Sequence, residues 1–259
     1  MLSPITSAPL NIPESFQRGW QAFCRSPWAF IGFTLVGGSA NVIGQSLQKL
    51  GSDRLELSSS GGGSAGGGTL LALLPLLLGI GISVVSSLWL NVGLFRGAWI
   101  ALAGRKPQLG DLIRWDGPAQ LRLLLMGLLL LLINLLILVV SGLAAAVLSL
   151  IQPMLSLLPV LIGLGVFVYV AVGQVFHLPL TVIGGLNPLP AFRSGRIALA
   201  THWWTMLGFL ALLALIVLAG VLSFGAGLIV GLPVISCVVA AAYQQLFGQE
   251  DRTGLLAYR

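Results

Sequence analysis

Apolar residues run along this chain in blocks far longer than a single helical turn or a strand, and polar residues collect between the blocks. A helix needs roughly 20 apolar residues to cross a hydrocarbon layer about 30 Å thick, and inside that layer its amides must bond to one another. Six blocks meet or approach that length: Trp28 to Leu47, Thr69 to Gly104, Leu121 to Ile151, Met154 to Phe176, Trp203 to Ser223 and Ala226 to Phe247. Asn41 and Gln45 make the first the weakest. The second would reach about 54 Å as one helix. Its span is placed at Leu73 to Phe95, with residues 97–104 running along or beyond the headgroups. Gln152 and Pro153 stop the third, and only Phe224 and Gly225 separate the last two, which form a tight hairpin. The pattern predicts an all-α polytopic membrane protein with six transmembrane helices as three hairpins. Residues 1–27 form a cytoplasmic amphipathic segment, 28–247 the membrane domain with a flexible Gly/Ser linker at 57–68, and 248–259 a cytoplasmic tail.

Composition removes the alternatives. Of 259 residues, 57% are hydrophobic and 8% charged, whereas soluble domains carry roughly 25% charge. A water-facing globule, a disordered chain and a disulfide scaffold are excluded. Cys24 and Cys237 have no ligand spacing around them and read as small core residues.

The bases set the orientation. Arg18, Arg25, Arg96, Arg105, Lys106, Arg114, Arg122, Arg193, Arg196, Arg252 and Arg259 fall on one side, against Lys49 and Arg54 on the other. The positive-inside rule makes both termini cytoplasmic. Trp20, Trp28, Trp99, Trp115, Trp203 and Trp204 fall at that same face, where interfacial anchors belong. The net charge of +6 therefore points to anionic headgroups rather than nucleic acid. Residues 1–27 lack the apolar core of a cleavable signal, so the first helix is expected to remain in the mature protein.

Two offsets align the chain with itself. At 176 residues, Phe16, Gly19, Ala22, Trp28, Gly32 and Phe33 fall on Phe192, Gly195, Ala198, Trp204, Gly208 and Phe209. At 81, Phe95, Gly104 and Pro107 fall on Phe176, Gly185 and Pro188, with Arg96 opposite His177. The expected unit is a cytoplasmic amphipathic helix followed by a hairpin, repeated three times. In the first copy Phe16, Trp20 and Phe23 line one face, which would lie in the headgroup plane. The middle copy, DLIRWDGPAQLR, is interrupted by Gly117 and Pro118 and reads as no more than a loop.

The stretches RGWQAFCRSPWAFIG, GLFRGAWIALAGRKPQLGDLIRW, PLPAFRSGRIALATHWWTMLGF and VGLPVISCVVAAAYQQLFG together resemble an uncharacterised family of bacterial six-helix membrane proteins. That family is similar to the membrane domain attached to some glycerophosphoryl diester phosphodiesterases. The resemblance implies the fold and a bacterial plasma membrane location, and no activity.

Ionisable groups within a span are functional candidates because their burial in lipid is costly. Arg96 and His177 lie near span ends, where an interfacial anchor and a helix-end hydrogen bond are the plain readings. The functional alternative has them converge on a cytoplasmic vestibule and contact a headgroup or an anionic substrate. Asn91, Asn134 and Gln174 are deeper and uncharged, suited to interhelical hydrogen bonds or to a substrate path. Gly79, Gly81, Gly225, Gly227 and Gly231 permit close helix approach, and Pro75 and Pro233 suggest kinks. Asp111 and Asp116 read as solvated ion pairs with Arg114 and Arg122, and His202 as an interfacial residue. No catalytic, metal-binding or phosphate-cradling motif occurs, so no enzyme activity, cofactor or metal is expected. The expected role is structural or accessory, with a membrane protein partner or a second copy. The alternative is a transporter or lipid-handling protein with a path between the hairpins.

Overall fold

The structure, a computed structural model, describes residues 10–60, 67–201, 203–223, 225–248 and 253–254. Every regular element among them is helical: α1 (Ile12–Cys24), α2 (Pro27–Ser60), α3 (Gly67–Leu102), α4 (Leu109–Ile113), α5 (Gly117–Ser149), a 3-10 turn (Pro153–Ser156), α6 (Leu157–Gly173), α7 (His177–Val182), α8 (Pro188–Thr201), α9 (Trp203–Leu222) and α10 (Leu228–Phe247). Five segments are long and apolar enough to cross a membrane: Leu71–Leu102, Gly117–Ser149, Pro153–Gly173, Trp203–Leu222 and Ala226–Phe247. This is the helix set of a multi-pass membrane protein. The helix α2 falls outside it, because Asn41 and the glycines and serine of its first half keep its hydropathy low.

Local chemistry explains where the helices start. The Asn11 side chain accepts the Glu14 backbone N–H at 3.1 Å, and Pro13 sits in the first turn of α1, where no N–H is needed. Asp116 caps α5 in the same way, accepting the Ala119 N–H at 3.1 Å. The Gly117–Pro118 pair therefore begins a helix. The segment DLIRWDGPAQLR is indeed broken, but at residues 114–116, between the short α4 and the start of α5.

The helices α2 and α3 pack antiparallel along most of their length. Contacts run from Phe30 beside Gly97, through Gly37 beside Leu90 and Gly44 beside Ser83, to Gly51 beside Leu76. A Cβ on Gly79 would lie 2.5 Å from the Gly44 carbonyl oxygen, so glycine is required at that crossing. A polar seam follows the same line. The Asn41 amide donates to the Ser83 carbonyl (3.2 Å) and to the hydroxyls of Ser86 (3.3 Å) and Ser87 (2.8 Å). Gln48 donates to the Gly79 carbonyl (3.1 Å) and the Ser83 hydroxyl (2.8 Å).

At the centre stands α10, with 61% of its most apolar stretch buried against 11–22% in the other four apolar segments. An aromatic ladder fixes it to its neighbours. Trp99 of α3 meets Tyr243 edge-on at 6.0 Å, Tyr243 stacks on Phe247 at 5.2 Å, and Phe176 meets both Phe247 and Phe209 near 6 Å. By contrast α5 presents Leu125, Leu128, Leu132 and Leu136 outward, the exterior a hydrocarbon solvent favours. Three shorter helices lie against others: α4 on α3, α8 on α5, α6 and α7, and α1 on α10.

Several expectations are corrected by this packing. Residues 97–101 do not run along headgroups: α3 continues unbroken to Leu102, and its last turns are buried within the protein. The fourth apolar block ends as a helix at Gly173, and His177 opens a separate short helix. Cys24 is exposed while Cys237 is buried, so only the second is a core residue. Gly81 has no neighbour within 4 Å and makes no close contact; Gly225 takes φ +80° in the turn before α10. Within the expected linker, residues 57–60 continue α2 and 67–68 begin α3, whereas 61–66 lie outside the described residues, as do His202 and most of the tail. On α1, Ser15, Gly19, Ala22 and Phe23 are buried and Phe16 and Trp20 face outward.

The α1–α10 crossing is tight enough to test. A Cβ on Gly19 would come within 2.6 Å of the Val238 backbone, and the crossing also carries bonds from Arg18 to Gln244 Oε1 (2.9 Å) and from the Asn11 N–H to Gln245 Oε1 (3.2 Å). Gly19→Ala is expected to destabilise the detergent-solubilised protein by about 1–3 kcal/mol, read as an earlier thermal unfolding midpoint. Gly38→Ala, which meets nothing within 4 Å, should leave the midpoint near wild type.

Candidate functional site

The five sequence candidates separate into two places. Arg96 lines a half-open cavity with Asp111, Arg114, Asp116, Arg122 and Gly185, whereas Asn91, Asn134, Gln174 and His177 line a second between the helices, each of about 460 Å³. Helical geometry divides them. Asn91 and Arg96 are five residues apart on α3, which turns their side chains about 140° from one another. Arg96 and His177 line different recesses, so the functional alternative of a shared vestibule is not met.

Arg96 is nearly buried and fully engaged. Its guanidinium donates to the Arg114 carbonyl (2.6 Å), the Asp111 carbonyl (3.4 Å) and Asp116 Oδ2 (3.0 Å). The other Asp116 oxygen caps α5, so one carboxylate joins α3 to the start of α5. Asp116 is thus the partner of Arg96, in place of the solvated pairing with Arg114 or Arg122 read from the sequence. Arg96 acts as a clamp within the protein and does not snorkel toward headgroups.

The tryptophans also divide. Trp28 and Trp204, which correspond at the 176-residue offset, are 83% and 79% exposed, and Trp20 and Trp115 also face outward. Trp203 stacks on Tyr169 at 5.7 Å. Trp99 is only 1% exposed and sits in the aromatic ladder. Its expected role as an interfacial anchor is corrected, since a buried indole cannot reach headgroups.

All five apolar segments and α7 contribute to the central cavity. Its walls include Leu94, Phe95, Leu130, Phe167, Leu210 and Val239. Five polar side chains punctuate them, four anticipated and one, Ser236, missed. In an apolar helix a lone serine looks like a residue bonded to its own backbone, and Ser236 does donate to the Leu232 carbonyl at 3.0 Å. Only the crossing of α10 with its neighbours places it in the cavity wall. Asn91 and Asn134 likewise donate one turn back, to the carbonyls of Ser87 (2.8 Å) and Leu130 (2.9 Å), and Gln174 donates to the Phe192 carbonyl at 3.5 Å. Asn134 Oδ1 and Gln174 Oε1 are buried and have no hydrogen-bond partner. Gln174 is 5% exposed as a whole.

His177 completes the set. Its Nδ1 lies 2.5 Å from the Gln174 carbonyl oxygen, so Nδ1 carries the proton and Nε2 the lone pair. Burial pushes its pKa below the ordinary histidine value, against a smaller opposing effect of the bond to Gln174. The ring is therefore neutral near pH 7. Among the described residues no group of three or more His, Cys, Asp or Glu could hold a metal ion.

The clamp predicts a stability loss with a chemical signature. Arg96→Ala is expected to cost about 2–4 kcal/mol, because it strands Asp116 and two carbonyls. Arg96→Lys should also destabilise, since one ammonium cannot replace the planar fork. Asp116→Asn, which keeps an oxygen for the cap, should cost less than Arg96→Ala. Denaturant unfolding in micelles, followed by tryptophan fluorescence, measures all three, and a wild-type midpoint for Arg96→Ala would contradict the clamp. Comparison of the chain with protein-family models, with curated proteins and with solved structures found no match to any of them.

Proposed function

We propose that this protein is a lipid-handling membrane protein that receives an amphiphilic small molecule in its central cavity. One observation carries the reading: a recess framed by all five apolar segments has aliphatic and aromatic walls punctuated by the side chains of Asn91, Asn134, Gln174, His177 and Ser236. Its volume suits a drug-sized molecule, or the head and proximal chains of a lipid. A purely accessory role needs only exterior surfaces. It gives no reason for a recess of this size between the apolar segments.

The topology belongs to the same proposal. α2 serves as a sixth span, because its Asn41 and Gln48 are bonded along the seam with α3 and need not face lipid. The units α1–α3, α4–α7 and α8–α10 then form three pseudo-repeats. Matching local geometry supports this: Gly104 and Gly185 both take positive φ after their helices (+88° and +62°), and Phe95 and Phe176 are both buried. An axis along the membrane normal relates units that enter from one side. Both termini lie in the cytosol of a bacterial plasma membrane, with the basic residues against anionic lipid. The resemblance to the phosphodiesterase-associated membrane domain is part of this proposal.

Native mass spectrometry after mild extraction tests the cavity. The wild-type chain is expected to retain an amphiphile that Ala171→Phe, a bulky change in the cavity wall, does not. A bare wild-type chain, or equal retention by the variant, would return the protein to the accessory reading. The topology has its own check: tags at either terminus should resist protease added to intact cells and be digested once the membrane is opened.

A further inference from the structure

One face of α3 joins a basic cavity to an apolar groove. Trp89, Val85, Ile82 and Leu78 stand 7, 11, 14 and 18 positions before Arg96. At about 100° per residue, all four fall within about 40° of the line through Arg96 along the helix. With Leu74 and Trp115 they line a groove beside α2 whose leucine, isoleucine and valine side chains are exposed on the outside of the bundle. Arg96 belongs to the half-open cavity past the end of that groove, with Asp111, Arg114, Asp116 and Arg122. Trp115 borders both spaces. The segment that carries it is fixed to this face by bonds from Trp89 Nε1 to the Ile113 carbonyl (2.9 Å) and from Arg96 to the Arg114 carbonyl (2.6 Å).

The cavity holds more positive than negative charge. Asp116 is spent on Arg96 and on the cap of α5, and Asp111 Oδ2 accepts the Gln108 N–H at 2.9 Å. Three arginines against two carboxylates leave one cation uncompensated. Among the described residues Arg122 enters no ion pair. The first turn of α5 borders the cavity at Gly117 and Pro118, and the positive end of that helix dipole adds to the field. A headgroup with one net negative charge balances such a wall, whereas a zwitterionic one brings its own cation into the same field.

The groove says what carries the anion. From Trp89 to Leu74 α3 rises about 22 Å, more than the roughly 15 Å that one leaflet contributes to a hydrocarbon core about 30 Å thick. One acyl chain can therefore run from the cavity along this face. A water-soluble anion would meet the arginines and leave the groove empty, but a phospholipid fills both spaces. We infer that this face of α3 binds one anionic glycerophospholipid, its phosphate beside Arg114 and Arg122 and one acyl chain against Leu78, Ile82 and Val85. The site is separate from the central cavity and does not depend on what that cavity holds.

The test is native mass spectrometry of the full chain, delipidated in a neutral detergent and titrated with dioleoyl phosphatidylglycerol or dioleoyl phosphatidylcholine. Phosphatidylglycerol is expected to bind about tenfold more tightly, the gain that one charge-assisted hydrogen bond gives. Arg122→Gln should bring that ratio close to one. Gly81→Phe fills the groove from a position where a Cβ meets nothing within 4 Å, and should weaken phosphatidylglycerol binding about tenfold. Should either variant lower the unfolding midpoint by more than a few degrees, Arg122→Met or Val85→Trp takes its place. Arg193→Gln, at an exposed base outside the cavity, and Ala171→Phe in the central cavity should keep the wild-type ratio. Equal binding of the two lipids, or a wild-type ratio in Arg122→Gln, would overturn the site. Full competition by glycerol phosphate at equal concentration, with undiminished binding to Gly81→Phe, would make it a site for soluble anions and overturn the lipid assignment. Loss of the ratio in Ala171→Phe alone would move the lipid to the central cavity, overturning this inference while supporting the cavity reading.

Discussion

A polar group placed among hydrocarbon must find its hydrogen bond inside the protein, and this constraint governs nearly every buried contact in the molecule. The commonest solution is local. Thr34, Asn91, Asn134, Thr181 and Ser236 each donate to the carbonyl one turn back, which removes a donor without requiring a partner helix. The second solution is a seam between two helices, as where Asn41 and Gln48 of α2 meet the serines of α3. Local donation leaves the acceptors of the amides unspent.

Charge obeys the same rule at higher stakes. Arg96 reaches its low exposure only because two carbonyls and Asp116 surround it, and Asp116 in turn caps α5. One carboxylate thereby couples α3, the segment around α4 and the start of α5, three elements whose apolar faces would otherwise be free to slide. Packing supplies the remaining order through α10, which touches α1, α2, α3, α7 and α9 and carries two rungs of the aromatic ladder. Small residues let it do so: Gly19 of α1 lies directly on the Val238 backbone.

Much of the candidate site was legible beforehand because its residues are rare. Asn91, Asn134, Gln174 and His177 stand out in apolar surroundings by composition alone, and they do share one cavity. Ser236 did not stand out, and Arg96 was grouped with the wrong neighbours. Distance along the helix is plain in a sequence, but the direction of each side chain depends on the whole bundle. Asp116 was missed as the partner of Arg96 for a related reason. Its neighbours in the chain, Arg114 and Arg122, suggested a local pair, whereas the fold returned it to a residue twenty positions earlier.

The all-helical character, the apolar lengths and the polar breaks between them were determined by the sequence itself, since periodicity, proline and capping residues act within a few residues of where they stand. Only tertiary structure decided that Trp99 faces inward, that Cys24 lies outside, that Asp116 at the start of α5 meets Arg96, and that five polar side chains line one recess. Those outcomes depend on the angles at which helices cross, and crossing angles arise from the fit of entire surfaces, to which no single stretch of chain holds the answer.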